Sequence, residues 1–438
     1  MSPKKKLVIG IGKTGQSCIN FFEKNNIEYK VFDTRNNLAE NCMSEGNKTE
    51  SLYRFKNFEK EFLDDIEEVV ISPGLSLNHE IINEVRKLSI PIITDIELWH
   101  RYSNIPIIAI SGTNGKTTVV DMLEHLLNHL DLKSLACGNN GVPILKSLND
   151  CDYKYLVLEL SSYQLEYTKN IRAFISLITN VEDDHLERHQ NYKNYLSIKK
   201  KIFLDCKHSV CNISLSKEML DIKGHKLYGF DDKLKKIFIN GKINNNLNFD
   251  DNKISYKNTS IRFRGIHNLD NLLAVLSISE ILNINMDNAF PILASYKYPL
   301  HRIQFIKEHN NVTWYNDSKS TNVSSTIAAI KFVKKNILLI LGGSEKLLDY
   351  SKLNSYIEES VKLIIFLGEN KKMIRKKLIT KKPMIDVKSI RDAVLVAHKN
   401  SSSGDSVLLS PASPSFDMFS NYEERGEEFI KAVNDITK

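Results

Sequence analysis

Apolar residues along this chain fall into two alternating rhythms. Short apolar runs such as "KLVIGIG", "YKVFD", "EEVVISPG" and "PIITDIE" take turns with "GQSCINFFEKN" and "IINEVRKL", where apolar positions recur at helical spacing. Short apolar runs bounded by Gly, Pro or Asp predict buried strands, and the 3.6-residue spacing predicts amphipathic helices. Strands alternating with helices build a parallel sheet covered on both faces. A second series opens at "IPIIAISGTNGKTT", with strands at "YLVLEL" and "FISLITN". A polar, β-type insert rich in Lys and Asn, from His225 to Arg264, breaks it before the helical "NLDNLLAVLSISEIL". A third series runs through "IQFIKE", "VTWYNDS", a helix from Asn322, "NILLILGG", "VKLIIFLG" and "DSVLLSPAS".

The predicted fold class is therefore α/β with three domains: 1–95, 96–298 and 299–438. Two Rossmann-like domains flank a central P-loop-type domain that carries the β insert. Three domains also suit 438 residues at about 150 per domain.

Composition narrows the class without naming a function. Hydrophobic content of 42% and charged content of 26% are those of a soluble globular protein. Six cysteines, at 18, 42, 137, 151, 206 and 211, form no C-x-x-C pair and read as reduced thiols, so a cytoplasmic location is expected. The basic start "MSPKKKLVIGIGKTG" precedes an apolar run broken at Lys13, too short for export. No stretch approaches the roughly 20 apolar residues of a membrane span. The net charge of +7 comes from 60 basic residues interleaved with 53 acidic ones, which argues against nucleic acid as a partner.

Two glycine loops carry the first chemistry. "SGTNGKTT" joins an apolar strand to the helix "VVDMLEHLLNHL". Backbone N–H groups of such a loop hold phosphate oxygens, Lys116 neutralises the outer phosphates, and a threonine hydroxyl can bind Mg²⁺. The loop is a variant, since Ile110 stands where a P-loop has its first glycine. "GIGKTG", Gly10 to Gly15, follows the first strand, and Asp33 ends the next strand 18 residues after Gly15. That is the dinucleotide fingerprint in its usual context, which indicates a phosphorylated ligand without identifying it. An NAD-dependent oxidoreductase is one reading of it, although hydride transfer has no use for the ATP that the second loop implies.

The stretch "YLSIKKKIF" raises a separate question. On a helix, Tyr192, Tyr195, Leu196, Ile202 and Phe203 share a face with Lys199 in its middle, while Lys200 and Lys201 point away. A buried ammonium costs several kcal/mol unless paired or chemically altered. Lys199 either snorkels from a shallow groove or serves chemistry.

"GTNGKTT", "ELSSYQLE", "NVEDDHLERH", "YLSIKKKIF", "RGIHNLDN", "LHRIQFI" and "WYNDSKSTN" follow one another in the order found in the ATP-dependent Mur ligases of peptidoglycan synthesis. The chain resembles that family over essentially its whole length. "DTR", "SPGLSLNH" and "SPASPSFDMFSNYEERG" are most similar to the members that add D-glutamate. A sister ligase that adds another amino acid, or extends folate with glutamate, is the nearest alternative.

The resemblance implies a site drawn from all three domains of a monomer. Lys13, Thr14 and Gly15 would hold the diphosphate of UDP-N-acetylmuramoyl-L-alanine, with Asp33, Thr34 and Arg35 at the uridine and Asn139 on the sugar-peptide. Gly112, Thr113, Asn114, Gly115, Lys116, Thr117 and Thr118, with Asn271, Arg302 and Asp317, would surround ATP. Two Mg²⁺ ions would be served by Thr117, Glu159, His185 and a carbamylated Lys199, leaving Glu182, Asp183 and Asp184 solvated or behind the ligands. Lys116, Lys199, His185 and Glu159 would be catalytic. Lys319, Thr321, Lys346, Ser415, Phe416 and Tyr422 would form the D-glutamate pocket, in which Pro414 and Tyr422 depart from the familiar pattern.

Overall fold

A computed structural model describes residues 4–35, 52–150, 152–250, 253–263, 265–345 and 348–437. The apolar runs become three main sheets. The first is wholly parallel, from β1 (Lys5–Ile9), β2 (Tyr29–Asp33), β3 (Tyr53–Phe55), β4 (Ile66–Ile71) and β5 (Ile92–Ile93), in the order β3-β2-β1-β4-β5. The chain leaves β1 for β2 on one side and β4 lies on the other. The loop after β1, Gly10 to Gly12, therefore opens at a switch point where such sheets hold ligands.

The helix Lys13–Lys24 buries Gly15, Cys18, Ile19 and Phe22 along one face. Cys18, Ile19 and Phe22 pack in an apolar cluster with Ile107, Cys137, Leu156 and Trp99, so the first two units share a core. Trp99 is fully buried there and donates its indole N–H to Ser147 Oγ at 2.8 Å.

The central sheet contains β6 (Ile107–Ser111), β7 (Ser134–Gly138), β8 (Tyr155–Glu159), β9 (Ile175–Ile178), β10 (His208–Asn212), β11 (Lys226–Asp231), β12 (Lys236–Ile239) and β13 (Lys242–Ile243). Its order is β13-β12-β11-β10-β9-β6-β8-β7. Every residue of β6, "IIAIS", is buried, as befits a central strand covered on both faces. Two helices cover one face together, Lys116–His129 and Ile266–Ile281. The second is buried nearly all round and lies inside the domain.

The β insert does not stand apart as the polar pattern suggested. β11 pairs in parallel with β10 and carries β12 and β13 as an antiparallel extension of the main sheet. Only β14 (Asn248–Asp250), β15 (Lys253–Tyr256) and β16 (Thr259–Arg262) form a separate small sheet.

The third sheet runs β17-β18-β22-β19-β20-β21, from β17 (Gln304–His309), β18 (Val312–Asn316), β19 (Ile337–Leu341), β20 (Val361–Phe366), β21 (Met384–Asp386) and β22 (Ser406–Leu409). β17 is its single antiparallel strand. Alternate residues of β19 feed different cores: Ile337, Leu339 and Leu341 enter one, Leu338 and Ile340 the other. The period of two thus reports helices on both faces. Asn322 caps the helix Val323–Val333 by accepting from Ser325 N at 2.9 Å, which places the helix start at the residue where the sequence puts it. Among the described residues no helix is long and apolar enough to cross a membrane, and Cys18, Cys137, Cys206 and Cys211 are free thiols.

Gly15 shows how closely the first helix approaches its strand. A Cβ there would lie 1.8 Å from Gly10 O and 3.4 Å from a Val8 methyl group. Alanine normally gains about 1 kcal/mol over glycine in a helix. Here the backbone clash reverses the sign. Gly15→Ala is expected to destabilise the amino-terminal unit by about 2 kcal/mol, read as a lower urea midpoint for the first unfolding transition.

Candidate functional site

The central glycine loop is held open by two glycines that no other residue can replace without strain. Gly112 has φ +150°, and a Cβ on it would lie 1.8 Å from Thr179 Oγ1. Gly115, at φ +83°, starts the helix Lys116–His129, and its Cβ would meet Asn271 Oδ1 at 2.3 Å. Side chains from neighbouring strand ends set the loop's shape. Asn180 accepts from Asn114 N at 2.9 Å, and Thr179 Oγ1 donates to Asn114 O at 2.6 Å. Thr113 Oγ1 exchanges bonds with the Glu182 backbone and lies 3.2 Å from the Tyr195 hydroxyl.

Two lysine amines meet at this loop. Lys116 Nζ donates to Gly112 O at 3.0 Å and Thr113 O at 2.9 Å, while Lys199 Nζ donates to the same Gly112 O at 2.7 Å. Lys199 is 1% exposed, and its Nζ stands 4.7 Å from the Tyr195 ring centroid. Burial, then the neighbouring Lys116 charge, push its pKa well below the ordinary lysine value, against Asp184 and Glu159. Lys200 and Lys201 turn outward, to Asp221 and to Glu166 O. Ile202 and Phe203 are buried too, but on a separate 3₁₀ turn, Lys201–Phe203, because the α-helix ends at Lys200.

Glu159, at the end of β8, is 2% exposed. Its Oε1 accepts from Asn139 Nδ2 at 2.9 Å, whereas Oε2 is buried with no hydrogen-bond partner. A buried carboxylate oxygen without a donor is costly unless a cation supplies the missing charge. This oxygen, with the buried Lys199 in its electrostatic neighbourhood, fits a divalent cation. Asn139 is thereby tied to Glu159 by side chain and backbone.

His185, at φ +53°, places Nδ1 3.1 Å from the Tyr163 hydroxyl and Nε2 3.8 Å from Asp184 Oδ2. Among the described residues no trio of His, Cys, Asp or Glu is arranged to hold a metal by itself. Of the three carboxylates before His185, Glu182 is exposed, Asp183 half-buried and Asp184 buried. Asp184 is buried and accepts from Asn322 Nδ2 at 3.4 Å, Asp183 pairs with Lys352, and Glu182 accepts from Asn114 Nδ2 at 3.2 Å. These bonds, with Asn114 Nδ2 to Ser324 Oγ at 2.8 Å and Asn322 Nδ2 to Asn114 Oδ1 at 3.1 Å, fasten the carboxy-terminal unit to the glycine loop.

A cleft of about 950 Å³ lies between those two units, a volume suited to a nucleotide. It brings together Asn114, Gly115, Asn271, Arg302 and Asp317. Gly112, Thr113, Lys116, Thr117 and Thr118 belong to the same loop and helix start but do not line it. Arg302 Nε is buried without a hydrogen-bond partner. Asp317 accepts from Ile303 N and from the hydroxyls of Ser320 and Ser410, and burial pushes its pKa up to about 6. Its carboxylate is thus spent on holding the backbone that presents Arg302.

The amino-terminal loop is built likewise. Asp33 Oδ2 accepts from Ile11 N at 2.7 Å, and Arg35 lies across the same carboxylate through Nε and a terminal amine. Burial opposes ionisation of Asp33, but the Arg35 side chain and the two amides win and hold it below the usual carboxylate range. Thr34 is exposed. Lys13 reaches the loop after β7: a Cβ at Gly141 would lie 3.3 Å from its Nζ.

Of the expected amino-acid pocket, Lys319 and Tyr422 come together. Lys319 Nζ sits 5.1 Å from the Tyr422 ring centroid. Ser415 is buried, its carbonyl accepting from Met418 N and Phe419 N. Thr321 is half-buried beside Asn322. Phe416 is 75% exposed, so the turn at Ser415 carries it outward rather than into the pocket. Lys346 lies outside the described residues.

Sequence reasoning assigned no role to Tyr163, Asp121 or Arg425. Asp121, just over one turn beyond Lys116, is pushed up to about 6 by burial, against the pull of Lys319 and Arg302. Its place four residues after Thr117, on the same face of the helix, is the one signal that could have shown it.

Comparisons with known proteins bear on the whole arrangement. Residues 4–94 match the Mur ligase MurD-like N-terminal domain, residues 110–279 the Mur ligase middle domain, and residues 301–413 the Mur ligase glutamate ligase domain. The chain is 36% identical over 440 residues to the UDP-N-acetylmuramoylalanine–D-glutamate ligase of Buchnera aphidicola, covering 99% of this chain and 98% of that one. It is 33% identical to the enzyme of that name from Caldanaerobacter subterraneus, with both chains covered fully. Among solved structures, MurF from Acinetobacter baumannii superimposes with a TM-score of 0.62 at 14% identity, over 98% of this chain and 92% of that one.

Lys319 supplies a pH test of this geometry. Burial, then Arg302, lower its pKa from 10.5 to about 8. Below about 8 both folded and unfolded chains hold the proton, and the cost of burying the charge is constant. Between about 8 and 10.5 the unfolded chain binds the extra proton, so this group makes stability rise with pH. Lys319→Met should flatten that rise when thermal midpoints of variant and wild type are compared across the same window.

Proposed function

The chain belongs to the Mur ligase family, and we propose that it joins D-glutamate to UDP-N-acetylmuramoyl-L-alanine in peptidoglycan precursor synthesis, with cleavage of ATP. The observation that carries this reading is the meeting, at the ends of β6 and β8, of a glycine loop with Lys116, a carboxylate with an unpartnered oxygen, and a fully buried lysine bonded to the same loop. A MurD-like amino-terminal domain speaks for a UDP-sugar rather than NAD or folate on the Gly10–Gly15 loop.

In the reaction the substrate's alanine carboxylate takes the γ-phosphoryl group of ATP, giving an acyl phosphate and ADP. The amine of D-glutamate attacks its carbonyl carbon, loses a proton, and phosphate leaves as the amide forms. Two anions must approach each other first, so fixed positive charge lowers the barrier. Lys116 beside the loop, Arg302 in the cleft and Lys319 within electrostatic reach of Arg302 provide it. Asn271, against Gly115, holds the start of the loop helix in place. Thr117, Glu159 and His185 would hold Mg²⁺, which when bound supplies charge neutralisation for the phosphates. Lys13, Thr14 and Gly15 would take the diphosphate of the UDP-sugar, with Asp33, Thr34 and Arg35 near the uridine and Asn139 aligned by Glu159. Lys319, Thr321, Lys346, Ser415 and Tyr422 would receive D-glutamate, with Phe416 at its rim. We further propose that the protein acts as a monomer in the cytoplasm.

Lys199 carries the finer part of the proposal. A neutral amine adds CO₂ and loses a proton to become a carbamate. One N–H remains for the Gly112 carbonyl, and two oxygens appear where a lone cation would repel Mg²⁺.

ADP release is expected to require both UDP-N-acetylmuramoyl-L-alanine and D-glutamate; equal turnover with L-glutamate or L-lysine would overturn the assignment. Lys116→Ala should lose turnover by about 10² or more yet retain UDP-sugar binding by calorimetry, because the two loops belong to different sheets. Lys199→Ala should abolish turnover, with partial rescue by short carboxylic acids. Lys200→Ala and Lys201→Ala, which remove only peripheral contacts, should leave turnover nearly unchanged. ¹³C NMR under ¹³CO₂ should show a carbamate carbon in the wild type and none in Lys199→Ala; a wild-type spectrum without it refutes the carbamate.

A further inference from the structure

Arg425 is one of the largest fully buried side chains, 1% exposed, in the first turn of the helix Tyr422–Ile436. A buried guanidinium is ordinarily matched to a carboxylate. Among the described residues this one is not. Nε donates to Ser318 Oγ at 2.9 Å, one terminal amine to Ser318 O at 2.7 Å, and the other to Ser413 O at 3.1 Å and Pro414 O at 3.2 Å. All its acceptors are neutral. Burial therefore pulls its pKa down to about 10, with Asp417 and Asp317 opposing from a distance.

Those acceptors lie on separate pieces of chain. Ser318 immediately precedes Lys319, at the end of β18. Pro414 immediately precedes Ser415, beyond β22, and its carbonyl also accepts from Ser344 N at 3.0 Å, on the loop that follows β19. Ser318 Oγ passes the connection on by donating to Tyr422 O at 2.8 Å. A Cβ at Gly343 would come within 3.2 Å of the guanidinium, so that loop is pressed against it. One rigid, planar cation thus ties together the loops that lead to Lys319, Ser415 and Tyr422. The polar hydrogens of an ammonium could not span the same acceptors, since the fork geometry belongs to arginine.

We infer that Arg425 is a positioning residue for the amino-acid substrate, fixing the spacing of Lys319, Ser415 and Tyr422 to which a dicarboxylate binds. The inference rests on the reading of this pocket as the D-glutamate site. A stability role alone would not require neutral acceptors on two converging loops, and a hydrophobic residue of similar size would fill the space at less cost. The buried charge has a second consequence. With no carboxylate bonded to it, it lends the pocket positive potential suited to a dianionic ligand.

The test is the Michaelis constant for each substrate, measured by ADP release with the full chain. Arg425→Lys keeps the charge and loses the fork, and is expected to raise KM for D-glutamate by about tenfold or more while leaving those for ATP and the UDP-sugar-peptide within about twofold. Ser318→Ala removes one acceptor and should raise the same constant about fivefold, the worth of one hydrogen bond. It carries the test if Arg425→Lys fails to fold. Wild-type KM for D-glutamate in a folded variant, or a parallel rise of all three constants, would overturn the inference. A wild-type enzyme indifferent to D-glutamate would instead refute the reading of the pocket beneath it.

Discussion

Two lysine amines share one carbonyl oxygen, that of Gly112, and much of the molecule is arranged around that contact. Side by side in a buried place, two ammonium groups cannot both stay charged cheaply. Lys116 is the more exposed, while Lys199 is wholly enclosed by Tyr195, the loop and β6, and burial with the neighbouring Lys116 charge lowers its pKa well below the ordinary lysine value. The loop can receive both only because Gly112 and Gly115 have no side chains: Thr179 and Asn271 fill the space where a Cβ would be. Thr179, Asn180 and Tyr195 then fix the loop from the strand and helix ends around it.

The neighbouring units extend this arrangement in opposite directions. The amino-terminal sheet shares an apolar cluster with the central one, which makes that junction a continuous core. The carboxy-terminal unit meets the central one at the site through polar contacts, Asn322 and Ser324 on Asn114, and Lys352 on Asp183. Polar contacts of this kind exchange readily with water, and an interface made of them can open and close. The cleft for a nucleotide lies at this second junction, where the residue that reads the loop, Asn114, is also the residue held by the opposite unit.

Strain is stored where the site needs it. His301 and Ile303, flanking Arg302, both have positive φ, +62° and +41°, and the second is a β-branched residue for which that region is unfavourable. Asp317 and Lys319 stabilise the strained turn, through Asp317 Oδ1 accepting from Ile303 N and Lys319 N donating to His301 O. Residues that look from their order in the chain like ligand contacts are therefore also the scaffold of their neighbours.

Periodicity by itself determined the parallel sheets, the buried strand β6 and the helix begun by Asn322, because these depend on short-range patterns of apolar residues and caps. Both glycine loops were legible for the same reason, since glycine, lysine and threonine at fixed spacing perform their chemistry locally. The central position of Lys199 on an apolar face could likewise be read, although its helix stops at Lys200 and leaves Ile202 and Phe203 to a separate turn. What the linear order did not contain was pairing over long distances. That the first strands of the insert extend the central sheet, that Asp184 is buried under Asn322, that Phe416 turns outward and that Arg425 collects carbonyls from Ser318, Ser413 and Pro414 were decided only by tertiary structure. Burial and charge compensation depend on which segments the folded chain brings together, and no local pattern in the sequence records that.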